Sequence, residues 1–226
     1  MADDGTSYWP SYSVATGAGE VLQILGDGGL GYALPATLTC GSATVPSGHQ
    51  GDGLQMRGQY LYRSGFISSD AGEPTISAVG AFDVQQNLSV AWQYCVDADE
   101  NFFFGEVIAL GPDGGVMLDV EYLDAGEARS YGFGWVDPPG VLRWKNRFPA
   151  SPSTVSAEYA NPNPAVGADG TIYLTSDIAP LIALNGADGT VKWVYDAGAA
   201  GTSSPAIGAD GTIYFDDADG YLNAVR

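Results

Sequence analysis

Residues 164–173 of this chain return, almost letter for letter, as residues 205–214, an offset of 41 positions. Self-similarity at such a period marks a repeat architecture, in which one small supersecondary unit is stacked several times. Both copies read as a short strand, an Asp-Gly turn (Asp169-Gly170, Asp210-Gly211) and a second strand rich in Ile and Tyr. Asp-Gly between apolar runs is a strong hairpin signal, because Gly accepts the positive φ that a tight turn needs. The unit is therefore a small antiparallel sheet.

Composition supports many short strands and tight turns: 32 Gly and 13 Pro stand beside 12% aromatic and only 15% charged residues. No long stretch carries apolar residues at helical spacing with credible caps, so almost no helix is expected. No run of 18 apolar residues exists, so no membrane span is expected. A chain of 226 residues can bury a sizeable core as a single domain, here 1–226.

A second signature lies between the two copies. Ala183, Asn185, Gly189 and Trp193 follow the spacing A-x-[DN]-x-x-x-G-x-x-x-W. A small residue leaves room, an amide or carboxylate caps the turn, and a large ring seals neighbouring sheets. Ala81, Asp83 and Trp92 repeat it one residue longer, with Asn87 in the Gly place. Gly140 and Trp144 keep the Gly-to-Trp spacing, with Gly134 and Val136 where Ala and Asp would stand. The termini complete one more copy, since Ala224 and Arg226 read in phase into Gly5 and Trp9.

This pattern resembles the tryptophan-docking repeat of the pyrroloquinoline-quinone (PQQ)-like β-propellers, the superfamily of quinoprotein alcohol dehydrogenases and BamB-like assembly lipoproteins. The resemblance covers residues 75–226 well and residues 1–75 in part. It implies an all-β propeller of four-stranded antiparallel blades, with each Trp on the outermost strand packing between blades. Four repeats are clear and residues 30–75 form a degenerate fifth blade or an insertion. The in-phase termini are expected to share one blade, with residues 2–9 as its outer strand. Relatives usually carry seven or eight blades, so a piece of a larger ring is the alternative.

The formal charge is −19, from 27 Asp and Glu against 8 Lys and Arg. Eight Asp residues directly precede Gly, so turn chemistry accounts for much of this acidity. A solvated, self-repelling surface, a high-salt habitat and a cationic partner all fit. Nucleic acid does not, because phosphate binding needs a basic stripe. Cys40 and Cys95 permit one disulfide or two buried thiols. The N-terminus shows no signal peptide, while the family resemblance implies an extracytoplasmic location.

Catalytic constellations are sparse. His49, the sole histidine, sits in a polar Gly-Ser loop without a nucleophile motif. Asp217 and Asp219 superficially resemble a calcium loop but lack the distal Glu, so they are weak metal candidates beside a plain hairpin turn. The vicinal cysteines with which quinoprotein dehydrogenases cover PQQ are missing, and no cofactor is expected. Phe103, Phe133 and Trp135 lie in aromatic segments outside the repeat phase and are the candidate binding surface, with inter-blade packing as the ordinary explanation. The reading is a non-catalytic propeller that presents loops to a protein or small ligand. A fragment of a PQQ-dependent oxidoreductase and a carbohydrate-binding propeller are the alternatives. Trp193 is expected to be buried, so that Trp193→Ala would cost about 3–5 kcal/mol.

Overall fold

The computed structural model describes residues 7–13, 18–24, 30–34, 37–45, 55–68, 74–96, 102–123, 129–147, 163–176 and 180–226. Strands β1 (Ser7–Ser13), β2 (Ala18–Ile24) and β3 (Leu30–Leu34) form a three-stranded sheet. A hairpin of β4 (Leu38–Cys40) and β5 (Ala43–Val45) follows. Three four-stranded sheets come next. They are built from β6 (Gln55–Arg57), β7 (Tyr60–Ser68), β8 (Pro74–Asp83) and β9 (Ser89–Val96), then β10 (Phe102–Leu110), β11 (Val116–Leu123), β12 (Arg129–Asp137) and β13 (Val141–Arg147). The third comprises β14 (Ala165–Val166), β15 (Thr171–Leu174), β16 (Leu181–Asn185) and β17 (Val191–Tyr195). Strands β18 (Ala206–Ile207), β19 (Ile213–Asp216) and β20 (Leu222–Val225) make a last, three-stranded sheet. Within every sheet, neighbouring strands are consecutive and antiparallel, the meander that defines a propeller blade.

Apolar side chains on both faces of a sheet force it to be covered on both sides. Along β11, Val116, Leu118, Val120 and Tyr122 join Tyr62, Val79 and Ala81 of the preceding blade in one buried cluster. Met117, from the opposite face, joins Trp135 and Trp144 against Ile172, Ile182 and Leu184 of the next blade. A smaller cluster of Leu181, Ile213 and Phe215 links the last two blades. The core is thus a series of layers between blades, as expected for an all-β propeller.

The Asp residues before Gly behave as turn chemistry demands. Asp169 Oδ1 accepts from the Thr171 amide at 3.0 Å and its Oδ2 from the Thr171 hydroxyl at 2.7 Å. Asp210 and Thr212 repeat this at 3.1 and 2.9 Å, while Asp188 accepts both Thr190 bonds on Oδ1, from the amide at 2.9 Å and the hydroxyl at 2.7 Å. Asn87, in the Gly place of its repeat, has φ 56° and closes the short 3₁₀ turn Val84–Gln86, whose cap is Asp83. That turn is the one helical element among the described residues.

Residues 30–75 do not make a blade of their own. Leu30–Leu34 closes the first sheet, and β6 and β7 are the inner half of the blade that ends in Trp92. Between them the β4–β5 hairpin packs Leu38 and Val45 on Leu61, Ala78 and Phe82. Cys40 and Cys95 form a disulfide, with Cα atoms 5.9 Å apart, which ties this hairpin to β9.

The expected join of the termini is not made. Among the described residues, strand β1, with Trp9, pairs with β2, Trp9 opposite Leu22, and β20, with Ala224, pairs with β19. Gly5 and His49 lie outside the described residues. The phase relation between the ends is a property of the repeat, and β1 satisfies its backbone locally by pairing with the adjacent strand.

The disulfide closes a loop of 55 residues. Chain-entropy arguments give such a cross-link about 4 kcal/mol of stabilisation as an upper figure. Replacing both cysteines by Ser is expected to lower the free energy of unfolding by about 2–4 kcal/mol, read from denaturant titration.

Candidate functional site

Where strand pairing is drawn out residue by residue, a cross-strand row recurs. Tyr62 stands opposite Ala81, which stands opposite Trp92. One repeat shape further on, Tyr173 stands opposite Ala183 and Ala183 opposite Trp193. The small central Ala lets the flanking rings meet over it: their centroids lie 6.1 Å apart in the first row and 5.9 Å in the second. In the middle blade the row is Met117, Trp135, Trp144. Trp135 takes the Ala place there, one residue later than Gly134, and its ring stacks on Trp144 at 6.3 Å. The same register shift follows the central residue in all three rows, and the displaced spacing comes from a connection one residue shorter, Val136 pairing with Leu142 where Leu184 pairs with Val191.

This row corrects the assignment of Trp135 and Phe133 to a binding surface. Trp135 is 1% exposed and Phe133 6%, both inside the layer facing the next blade. Phe103 lies on β10, but its side chain is outside the described residues.

Trp144 shows what docking means physically. Its indole N–H donates to the Gly186 carbonyl of the following blade at 2.9 Å, and only 7% of the residue is exposed. Its ring lies so close to Gly189 that a Cβ there would fall 2.6 Å from a ring carbon. Gly189 also has φ +71°, so the turn needs glycine for two independent reasons. Gly140 repeats the arrangement one blade earlier, with φ +100° and a Cβ position 2.1 Å from the Gln93 carbonyl on β9. In each case the turn between third and fourth strands crosses the outer strand of the preceding blade.

Trp193 departs from this. It is 37% exposed, and Val191, Val194 and Tyr195 beside it are also exposed. Among the described residues, no turn crosses Trp193 as the Gly189 turn crosses Trp144. The expectation of a buried Trp193 is therefore overturned, because burial depends on a neighbour that its own blade does not provide.

Beside Trp144 lies a polar clasp. Arg143 donates through Nε to Asp137 at 2.7 Å, through Nη2 to Asp113 at 2.5 Å and through Nη1 to the Gly186 carbonyl at 3.1 Å. Its guanidinium lies 5.3 Å from the Trp135 ring centre, and the Trp135 indole N–H donates to Asp137 at 3.0 Å. Arg143, Asp113, Asp169 and the Asn185-Gly186-Ala187 turn border an open cleft of about 290 Å³. No aromatic side chain lines it, so the ring platforms that sugar binding would use are not at this cleft.

Burial alone would raise the Asp113 carboxyl, but the bonds from Arg143 and the Gly115 amide outweigh it and hold Asp113 below the usual carboxylate range. Burial likewise opposes the charge on Arg143, while Asp137 and Asp113 raise its pKa further. Bonds from Thr171 lower Asp169, and those from Thr190 and Thr212 lower Asp188 and Asp210. Asp217 is lowered by Asn223 Nδ2, at 2.7 Å, and by the amides of Tyr221 and Asp219. Both its oxygens are thus engaged by its own hairpin. Asp219 is exposed, and no group of three or more metal-ligating side chains forms among the described residues.

No family model matches the chain, and no curated protein matches it. Among solved structures, it is similar to one described as the crystal structure of BamB from Moraxella catarrhalis, at a TM-score of 0.49 and 16% identity. The match covers 79% of this chain and 46% of that one, so the chain spans less than half of that protein's length.

Two outcomes are expected from this geometry. Trp144→Ala should cost about 3–5 kcal/mol of unfolding free energy, and Trp193→Ala only about 1–2 kcal/mol. Equal losses in denaturant titration would contradict the difference in burial. Asp113→Asn should be less stable than the parent from neutral pH down to about 4. The depressed native pKa makes the Asp113 contribution fully present above the unfolded pKa and lost as pH falls through the native one. The gap between the two proteins should therefore close in acid, as followed by thermal unfolding across pH.

Proposed function

We propose that this chain is a non-catalytic β-propeller scaffold whose last two blades bind another protein. The observation that carries this reading is the contrast between spent polar groups and unspent apolar ones. Every Asp in the repeat turns described above accepts hydrogen bonds from its own hairpin, and Arg143 is held by two carboxylates and a carbonyl. Such groups are committed to structure before any substrate arrives. By contrast Val191, Trp193, Val194, Tyr195, Tyr214 and Leu222 are exposed along β17, β19 and β20. Exposed aromatic and aliphatic side chains concentrated on one part of a soluble fold favour a protein interface.

The disulfide between Cys40 and Cys95 supports an oxidising, extracytoplasmic setting for the protein. No helix among the described residues is long and apolar enough to cross a membrane.

The oxidoreductase alternative is tested directly by incubating purified protein with PQQ and calcium while following cofactor fluorescence and dye-linked alcohol oxidation. Neither binding nor turnover is expected, and stoichiometric binding with alcohol-dependent dye reduction would overturn the scaffold reading. The interface itself is tested by affinity capture with the parent protein and with Val191→Lys. The captured partner should be lost with the charged variant, while a partner retained equally by both would place the interface elsewhere.

A further inference from the structure

The β4–β5 hairpin lies on the β6–β9 blade without sharing a backbone ladder with it: among the described residues it pairs only with itself. A two-stranded hairpin of three residues a side is marginal in water, so its attachments decide whether it stays in place. There are three. Leu38 and Val45 rest on Leu61, Ala78 and Phe82, with Leu38 so close over Gly80 that a Cβ there would fall 2.6 Å from its Cδ2. The Gln93 side chain accepts from the Thr39 amide at 3.2 Å and donates to the Thr39 carbonyl. Cys40, beside the exposed Gly41-Ser42 tip, is bonded to Cys95 on β9.

The blade underneath is held together independently of the hairpin. Its strands pair in order from β6 to β9, and the last pair runs from Ser77 opposite Val96 to Asp83 opposite Ser89. Its other face is buried against the next blade through Tyr62, Val79 and Ala81. The hairpin, by contrast, is a single layer: Leu38, Cys40 and Val45 point inward, and Thr39 and Thr44 are exposed. Beneath it Leu61, Ala78 and Phe82 are at most 1% exposed. While the disulfide is intact, the tip cannot leave β9. Once it is cut, two apolar side chains and one amide remain, and contacts on that scale open and reclose locally without global unfolding.

We propose that the Cys40–Cys95 disulfide is a redox latch, whose reduction lets β4–β5 lift from β9 and uncovers Leu61, Ala78 and Phe82 as a conditional apolar surface. The chemistry is thiol–disulfide exchange with a dithiol. One thiolate of the dithiol attacks the sulfur of Cys95, the less buried residue of the pair. The S–S bond breaks, its electron pair leaves on the Cys40 sulfur, and that sulfur takes a proton. The second thiolate of the dithiol then attacks its own sulfur in the mixed disulfide, releasing Cys95, which is protonated in turn. Two electrons have passed to the protein, and the dithiol departs as a disulfide. An apolar face opened in this way is of the kind that contacts other proteins. It belongs to a different blade from the exposed residues of β17, β19 and β20, so it stands or falls separately from that interface.

The test compares the full chain before and after dithiothreitol under native conditions, by hydrogen exchange, an apolar-sensitive dye and circular dichroism. Residues 38–45, the Thr39 amide above all, are expected to exchange about tenfold faster or more once reduced, with β11 lagging well behind them. Dye fluorescence should rise several-fold while the β-sheet circular dichroism is kept. Cys40→Ser/Cys95→Ser should match the reduced protein with no reductant present, and adding Leu38→Ala, which weakens only the packing, should speed exchange of the hairpin further. A disulfide that dithiothreitol leaves intact in the folded protein overturns the proposal, as does hairpin exchange that is unchanged on reduction. Faster exchange without a rise in dye signal means that the face stays covered, and overturns it equally. Loss of circular dichroism in both the reduced protein and the double Ser variant would show a bond that staples the whole fold, and no latch.

Discussion

Everything in this fold depends on how a large ring is buried between two sheets that are only a few residues wide. Trp144 does this by combining three features: a hydrogen bond to Gly186, a glycine at 189 that clears space for the ring, and a stack on Trp135. The first two lie between blades, and only the stack is made within one. A four-stranded sheet cannot bury both of its faces alone, so each blade is stable only as the neighbour of another. The aromatic on the outer strand is the group through which that dependence is expressed.

The polar groups around the junction follow the same logic. A guanidinium beside buried indole would be costly if unpaired, and Arg143 is instead engaged on all its forks. Its partners Asp113 and Asp137 lie at the turns that open and close the middle blade's central strands. The Gly186 carbonyl receives both Arg143 and Trp144, so a single turn of the following blade is gripped by a charge and a ring together. The same acidic residues that give the chain its large negative charge are thus partly neutralised where blades meet. The depressed pKa of Asp113 is the electrostatic trace of its bonds to Arg143 and the Gly115 amide.

The contrast between Trp144 and Trp193 follows from position in the series. Both occupy the same place in the repeat, and both cross-strand rows are intact. Trp144 is crossed by the Gly186–Gly189 turn of the following blade, while among the described residues no such turn crosses Trp193. The result is 7% exposure in one case and 37% in the other.

Much of this was legible from the residues alone. The 41-residue repeat, the Asp-Gly turns and the Ala-to-Trp spacing gave antiparallel blades, because turn geometry and side-chain alternation are local properties. Asn87 could be read as a stand-in for Gly for the same reason. What could not be read is which partner each ring would meet. Trp135 looked out of phase because the connection between β12 and β13 is one residue shorter than that between β16 and β17, and the pairing that reveals this is not visible in the spacing. Residues 30–75 read as a degenerate blade or an insertion, and their described part is divided between two sheets and a hairpin held by the Cys40–Cys95 disulfide. The chain's own letters determined the unit and its turns. Burial and the pairing of the cysteines were decided only in three dimensions, since each depends on a surface supplied by residues far away in sequence.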